Sequence, residues 1–196
     1  MIAGHFGFAA AVKARAPQLP LWSLMLACQW MDVVFVPLFA LGLERIVPVA
    51  GAGPHPGYGE GIIYADYTHS LLGALVTAVT YGLVAAWRWG RRNGAVLAGV
   101  VFSHWVLDLL VHRADMPILP GNAGDLPRLG LGLWRVPVAS AAIELVLVVV
   151  GTYLYWNAAK RALHEAGEPT TKRASRLAGL MLVSGLVTLG LNLLGM

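Results

Sequence analysis

Five apolar runs constrain this chain more than any other feature: Leu21–Leu43, Asp66–Trp89, Asn93–Arg113, Trp134–Trp156 and Leu177–Met196. Each has about the 20 residues a helix needs to cross a bilayer, and together they take up most of the 196-residue chain. Apolar residues make up 58% and charged residues 12%, with a mean hydropathy of +0.67. Soluble domains carry about 45–50% apolar and about 25% charged residues. The composition therefore excludes disorder, a collagen-like fibre, a disulfide scaffold and an ordinary soluble enzyme. The expected fold is all-α: a polytopic membrane helix bundle of about five transmembrane helices, forming one integral membrane domain over 1–196. Met1–Arg15 reads as a shorter helix ended by Pro17, lying at the interface or dipping into the bundle. No basic segment precedes it, and Gln29 and Asp32 follow in the next run, so it does not read as a cleaved signal.

A net charge of +4 would ordinarily suggest nucleic acid. Here ten of the fourteen Lys and Arg fall in alternate connections between runs: Lys13 and Arg15, then Arg88, Arg91 and Arg92, then Lys160, Arg161, Lys172, Arg173 and Arg176. The opposite side holds Arg45, Arg113, Arg128 and Arg135. Such asymmetry is a topology signal, and it predicts a cytoplasmic N-terminus and an outer C-terminus. The partners expected are membrane lipid and a lipid or small-molecule substrate, with no nucleic acid. The outer connections, Gly51–Gly61 and Met116–Gly132, are rich in Gly and Pro and read as loops. His55 and His164 read as solvated loop residues. Gly185, Thr188, Asn192 and Gly195 read as a small-residue packing stripe. The lone cysteine, Cys28, permits no intrachain disulfide and reads as buried filler.

The informative residues are the ionisable ones inside the runs, because a charge at the bilayer centre costs at least about 2.5–3.5 kcal/mol. Asp32 lies midway along the first run, His69 about one turn inside the second, and Glu144 near the middle of the fourth. The third run reads S-H-W-V-L-D-L-L-V-H-R-A-D. At about 100° per residue, His104, Asp108, His112 and Asp115 share an arc of about 80° on a helix that Pro117 should end. The spacing predicts a polar stripe from mid-membrane to the outer surface, level with Asp32, His69 and Glu144. Two ligands at i and i+4 can share a metal. Imidazole with carboxylate suits a divalent ion such as zinc, with manganese or iron also compatible. A spare carboxylate, Glu144 or Asp115, could act as general base or orient a ligand histidine. The stripe could equally be a helix-to-helix hydrogen-bonded pair without chemistry, and His5, in the N-terminal segment, is left open.

The order GHFG, QWMD, THS and SHWVLD resembles bacterial inner-membrane metal-dependent hydrolases, themselves distantly similar to the zinc phospholipase C group. SHWVLDLLVHRADMPILPG, followed by GLGLW at Gly130–Trp134 and by Glu144, is similar to a bacterial membrane family with the run SHWxLDLxxHxPDMPxxPG. The likeness covers Gly4 to about Gly151. It implies a metal site of His5, Asp32, His69, His104 and Asp108, with His112, Asp115 and Glu144 as accessory positions. The chain departs from the hydrolase-like pattern in having Met31 before Asp32 and Asp66 shortly before THS, and from the second family in Ala114 before Asp115. The function expected is hydrolysis of a lipid-borne or outer-face ester or phosphoester at a site open to the outer face. The alternatives are a haem protein with histidine axial ligands, an ion or proton carrier using the same stripe, and a non-enzymatic subunit.

Overall fold

The structure, a computed structural model, describes residues 1–50, 60–166 and 172–193. The helices are α1 (Ile2–Arg15), α2 (Leu21–Cys28), α3 (Trp30–Ala40), α4 (Leu71–Trp89), α5 (Arg91–Val111), α6 (Pro137–Glu165) and α7 (Lys172–Leu193). Strands β1 (Arg45–Pro48) and β2 (Gly61–Tyr64) form one antiparallel hairpin, with Arg45 opposite Tyr64 and Pro48 opposite Gly61. The fold is therefore an all-α bundle with a small hairpin attached. Among the described residues, α4, α5, α6 and α7 are each long and apolar enough to cross a membrane, and α2 with α3 makes a fifth span if the bent pair is counted as one. His55 and Gly195 lie outside the described residues. Gly185 does pack, since a Cβ there would come within 2.7 Å of Val148 Cγ1 on α6.

Three expected boundaries differ, each for a physical reason. The first run is two helices bent by 47° at Gln29. In an unbroken helix the Cys28 carbonyl would take the amide of Asp32; instead the His104 ring takes it, at 2.7 Å. A side chain inserted into the backbone ladder is a standard cause of a kink. The second helix starts only at Leu71, where Ser70 Oγ accepts from the Gly73 amide at 3.0 Å and the Pro117 and Ile118 carbonyls accept from Leu71 and Leu72. Those bonds satisfy amides a helix N-terminus leaves free, and they leave His69 in the preceding turn. The third helix stops at Val111, well before Pro117. The returning loop ends it, because Leu131 and Gly132 donate to the Leu109 and His112 carbonyls. Asp115 thus lies off the helix on which the sequence puts it.

Close helix crossings position the polar residues. Gly90, at φ +86°, turns α4 into α5 in a single residue. Along that pair, Cβ atoms on Gly82 and Gly94 would lie 2.6 Å from Ala98 Cβ and 2.5 Å from Ala86 Cβ. A Cβ on Gly7 would run into the Leu147 backbone, and one on Gly151 into the Gly7 backbone, so α1 and α6 meet backbone to backbone. Small residues permit this approach. It draws α1 into the bundle, burying Ala3, Gly4, His5, Gly7, Ala9 and Ala10. A core of Leu24, Ala27, Met31, Ala74, Ala78, Leu97, Val100 and Val101 packs α2 and α3 against α4 and α5.

Candidate metal centre

Six residues converge from α1, α3, the turn before α4, and α5 with its C-terminal end. Asp108 on α5 is the hub. Its Oδ1 is 3.1 Å from His5 Nε2 on α1. Its Oδ2 is 3.1 Å from His104 Nε2, 3.6 Å from His69 Nε2 and 3.8 Å from His112 Nε2. Asp32 on α3 closes the other side, with Oδ1 3.6 Å from both His69 Nε2 and His104 Nε2. The two imidazole nitrogens stand 3.4 Å apart. His5, His104 and Asp108, and likewise Asp32, His69 and His104, form groups close enough to hold one ion. The side chains of the four histidines and Asp108 are 5% exposed or less, whereas Asp32 is 40% exposed. The centre opens past Asp32.

For three of the four rings, hydrogen bonds on the far side bear on what faces inward. His104 Nδ1 sits 2.7 Å from the Cys28 carbonyl oxygen, which only accepts, so Nδ1 carries the hydrogen and Nε2 is bare. His112 Nδ1 donates to Asp115 Oδ1 at 2.9 Å. His69 Nδ1 lies 2.8 Å from Thr68 Oγ1, which is 3.0 Å from each Glu44 oxygen. Metal-bound histidines have this outer partnership, which fixes ring and tautomer. Inward, the Nε2 atoms of His69, His104 and His112 face the Asp108 carboxylate, and those of His69 and His104 also face Asp32. In a buried site such a set needs a cation between its members. The fit to a metal is dimensional as well. Metal–nitrogen bonds of about 2.0–2.1 Å in a tetrahedron imply ligand separations of about 3.3–3.4 Å. The triangles His69–His104–Asp32 and His69–His104–Asp108 have edges of 3.1–3.6 Å.

The accessory positions are held differently. Asp115 accepts from His112 with one oxygen and from the Ile63 amide of β2 with the other, at 3.0 Å. Glu144, fully buried on α6, accepts from the Gly4 amide at 3.0 Å, one residue before His5. His5 stacks on His104 with centroids 3.9 Å apart. Trp134 from GLGLW lies against His112 at 4.4 Å, and the Trp105 indole donates to the His69 carbonyl. Outside the helices, Arg128 grips Asp66 through both its terminal nitrogens (2.6 and 3.1 Å) and donates to the Asp115 carbonyl. The hydrogen-bonded Asp66 raises the Arg128 guanidinium above its ordinary value.

Sequence reasoning missed Glu44, Thr68 and the Cys28 carbonyl. Glu44 carried one available signal, an acid directly after an apolar run. The carbonyl carried none. Comparison of the chain with protein-family models, with curated proteins and with solved structures gives no match.

Proposed function

We propose that this chain is a divalent-metal hydrolase embedded in the membrane, acting on an ester or phosphoester that is lipid-borne or presented at the outer face. One observation carries the reading: the Nε2 atoms of His69 and His104 face each other at 3.4 Å between the Asp32 and Asp108 carboxylates. That donor set suits zinc, and also manganese or iron. A divalent ion held there would polarise an ester oxygen and bring the pKa of a bound water to about 7. The protein's own groups divide the remaining work. Asp115, bonded to His112 Nδ1, orients that ring. Glu144 anchors the start of α1 and so holds His5 against Asp108. Asp32, the open carboxylate, stands where substrate and water enter and can accept a proton there. A substrate that partitions into the bilayer suits a polar centre walled by spanning helices. The basic connections support an orientation with the Lys13 and Arg15 end of α1 at the cytoplasmic face and with the hairpin, against which Met1 is buried, on the outer side.

The crowding of the rings favours a metal ion over haem. His5 and His104 stack at 3.9 Å, and the His69 and His104 centroids are 5.4 Å apart with carboxylates between, which leaves little space for a macrocycle. Elemental mass spectrometry of detergent-purified protein tests the reading, alongside His104→Ala and Asp108→Ala checked for helix content. Near-stoichiometric zinc, manganese or iron, lost in both variants, is the expected result. Folded protein purified without chelator and free of metal would overturn it and leave a proton relay. A Soret band would point to haem.

A further inference from the structure

Glu44 sits between α3 and β1, 1% exposed, with no place in the ligand set. Its Oε1 accepts from the amides of Tyr67 at 2.9 Å and Thr68 at 2.8 Å. Both its oxygens lie 3.0 Å from Thr68 Oγ1. A carboxylate has no hydrogen to give, so the Thr68 hydroxyl must donate to it. That hydroxyl has only one hydrogen. Toward His69 Nδ1, 2.8 Å away, it can therefore only accept, and Nδ1 must carry the ring's hydrogen.

We infer that Glu44 is a positioning residue: acting through Thr68, it fixes the tautomer of His69 and keeps Nε2 bare toward Asp32 and His104. The metal reading supplies the purpose of this device, but the tautomer can be tested without metal. Two neighbouring rings are set more directly, His104 by a backbone carbonyl and His112 by a touching carboxylate. Of these three rings, His69 takes its direction from a hydroxyl that can point either way.

That reversibility gives an unusual consequence for Glu44→Gln. The amide oxygen can replace Oε1 and keep both backbone amides satisfied. The amide nitrogen, in the place of Oε2, would donate to Thr68 Oγ1. The hydroxyl would then turn its hydrogen toward His69 Nδ1, and the ring hydrogen would move to Nε2, where it blocks ligation. A near-isosteric change in the outer network thus disables a ligand it never touches.

The test is nitrogen NMR of the imidazoles in metal-free protein with labelled histidine, assigned by loss of the signal in His69→Gln. Wild type should show hydrogen on Nδ1 of His69, and Glu44→Gln should show it on Nε2. Thr68→Val, which lacks the hydroxyl, should populate both forms, and Thr68→Ser should restore the wild-type form. Zinc affinity read by a competing chelator should follow the same order, falling about 10–100-fold in Glu44→Gln. A purely structural Glu44, serving only the two backbone amides, predicts wild-type His69 in Glu44→Gln, and that result would overturn the inference. So would an unchanged tautomer in Thr68→Val, which covers the case where Glu44→Gln does not fold. If wild type shows the expected tautomer yet binds no metal, the hydrolase reading fails while the relay stands.

Discussion

Asp115 and His112 are joined across three residues by a 2.9 Å bond from His112 Nδ1 to Asp115 Oδ1, and the second carboxylate oxygen takes the Ile63 amide of the hairpin at 3.0 Å. One side chain thus ties the hairpin to the centre of the bundle. Both residues sit beyond the end of α5, and the Gly132 amide holds the His112 carbonyl at 2.7 Å. His112 is thus held both by its ring and by its carbonyl.

Asp115→Asn should lower metal affinity by about 10–100-fold while leaving the helical fold intact, because it weakens the outer partner of one imidazole and leaves the hub alone. Competition with a chromogenic chelator measures the drop, and circular dichroism checks the fold. Affinity equal to wild type would remove His112 from the ligand set.

Gly130→Ala should destabilise the protein by about 1–3 kcal/mol. Gly130 has φ +142°, and a Cβ there would collide with the Arg113 carbonyl and come within 2.7 Å of the His112 carbonyl oxygen. The loop would have to lift from the end of α5. Thermal unfolding in detergent gives the size of the loss.

Gly151→Ala should cost a similar amount, about 1–3 kcal/mol, and should also change the centre. The added methyl would press on the Gly7 backbone and push α1 away from α6. His5 reaches Asp108 only because α1 is seated there. Weaker metal binding alongside the lost stability is the expected pair of results. A stability loss with affinity unchanged would show that His5 contributes nothing to the site.

Arg128→Ala should cost about 1 kcal/mol or less, since the pair it breaks is partly solvated. The expected signature is local. The Met116 and Leu129 amides, which pair across the loop base at 3.0 and 2.6 Å, should exchange hydrogen faster, and the amides of α6 should not.

The bundle was legible because its signals are local. Span length is set by bilayer thickness and can be counted along the chain. The i, i+4 spacing of His104 and Asp108 holds for any α-helix, so their shared face followed from the sequence. Depth counting put His69, Asp32 and Glu144 at the same level. The hairpin was less visible, although the β-branched pairs Ile46–Val47 and Ile62–Ile63 flanking a Gly/Pro-rich stretch carry a hairpin signal.

What the sequence alone determined, then, was a membrane bundle with a His and Asp stripe on its third span. Tertiary structure decided the rest, because those relations depend on contacts between residues far apart in the chain. The Gly7–Gly151 crossing brought His5 to Asp108, since the depth at which α1 sits depends on how closely two backbones can pack. The break at Gln29 freed the Cys28 carbonyl for His104, an acceptor every residue possesses and no sequence pattern marks. Glu44 reached His69 through Thr68, 24 residues along the chain. Periodicity reports which face of a helix a side chain occupies. The atom it meets there, and the tautomer that contact selects, are fixed only once the helices have packed.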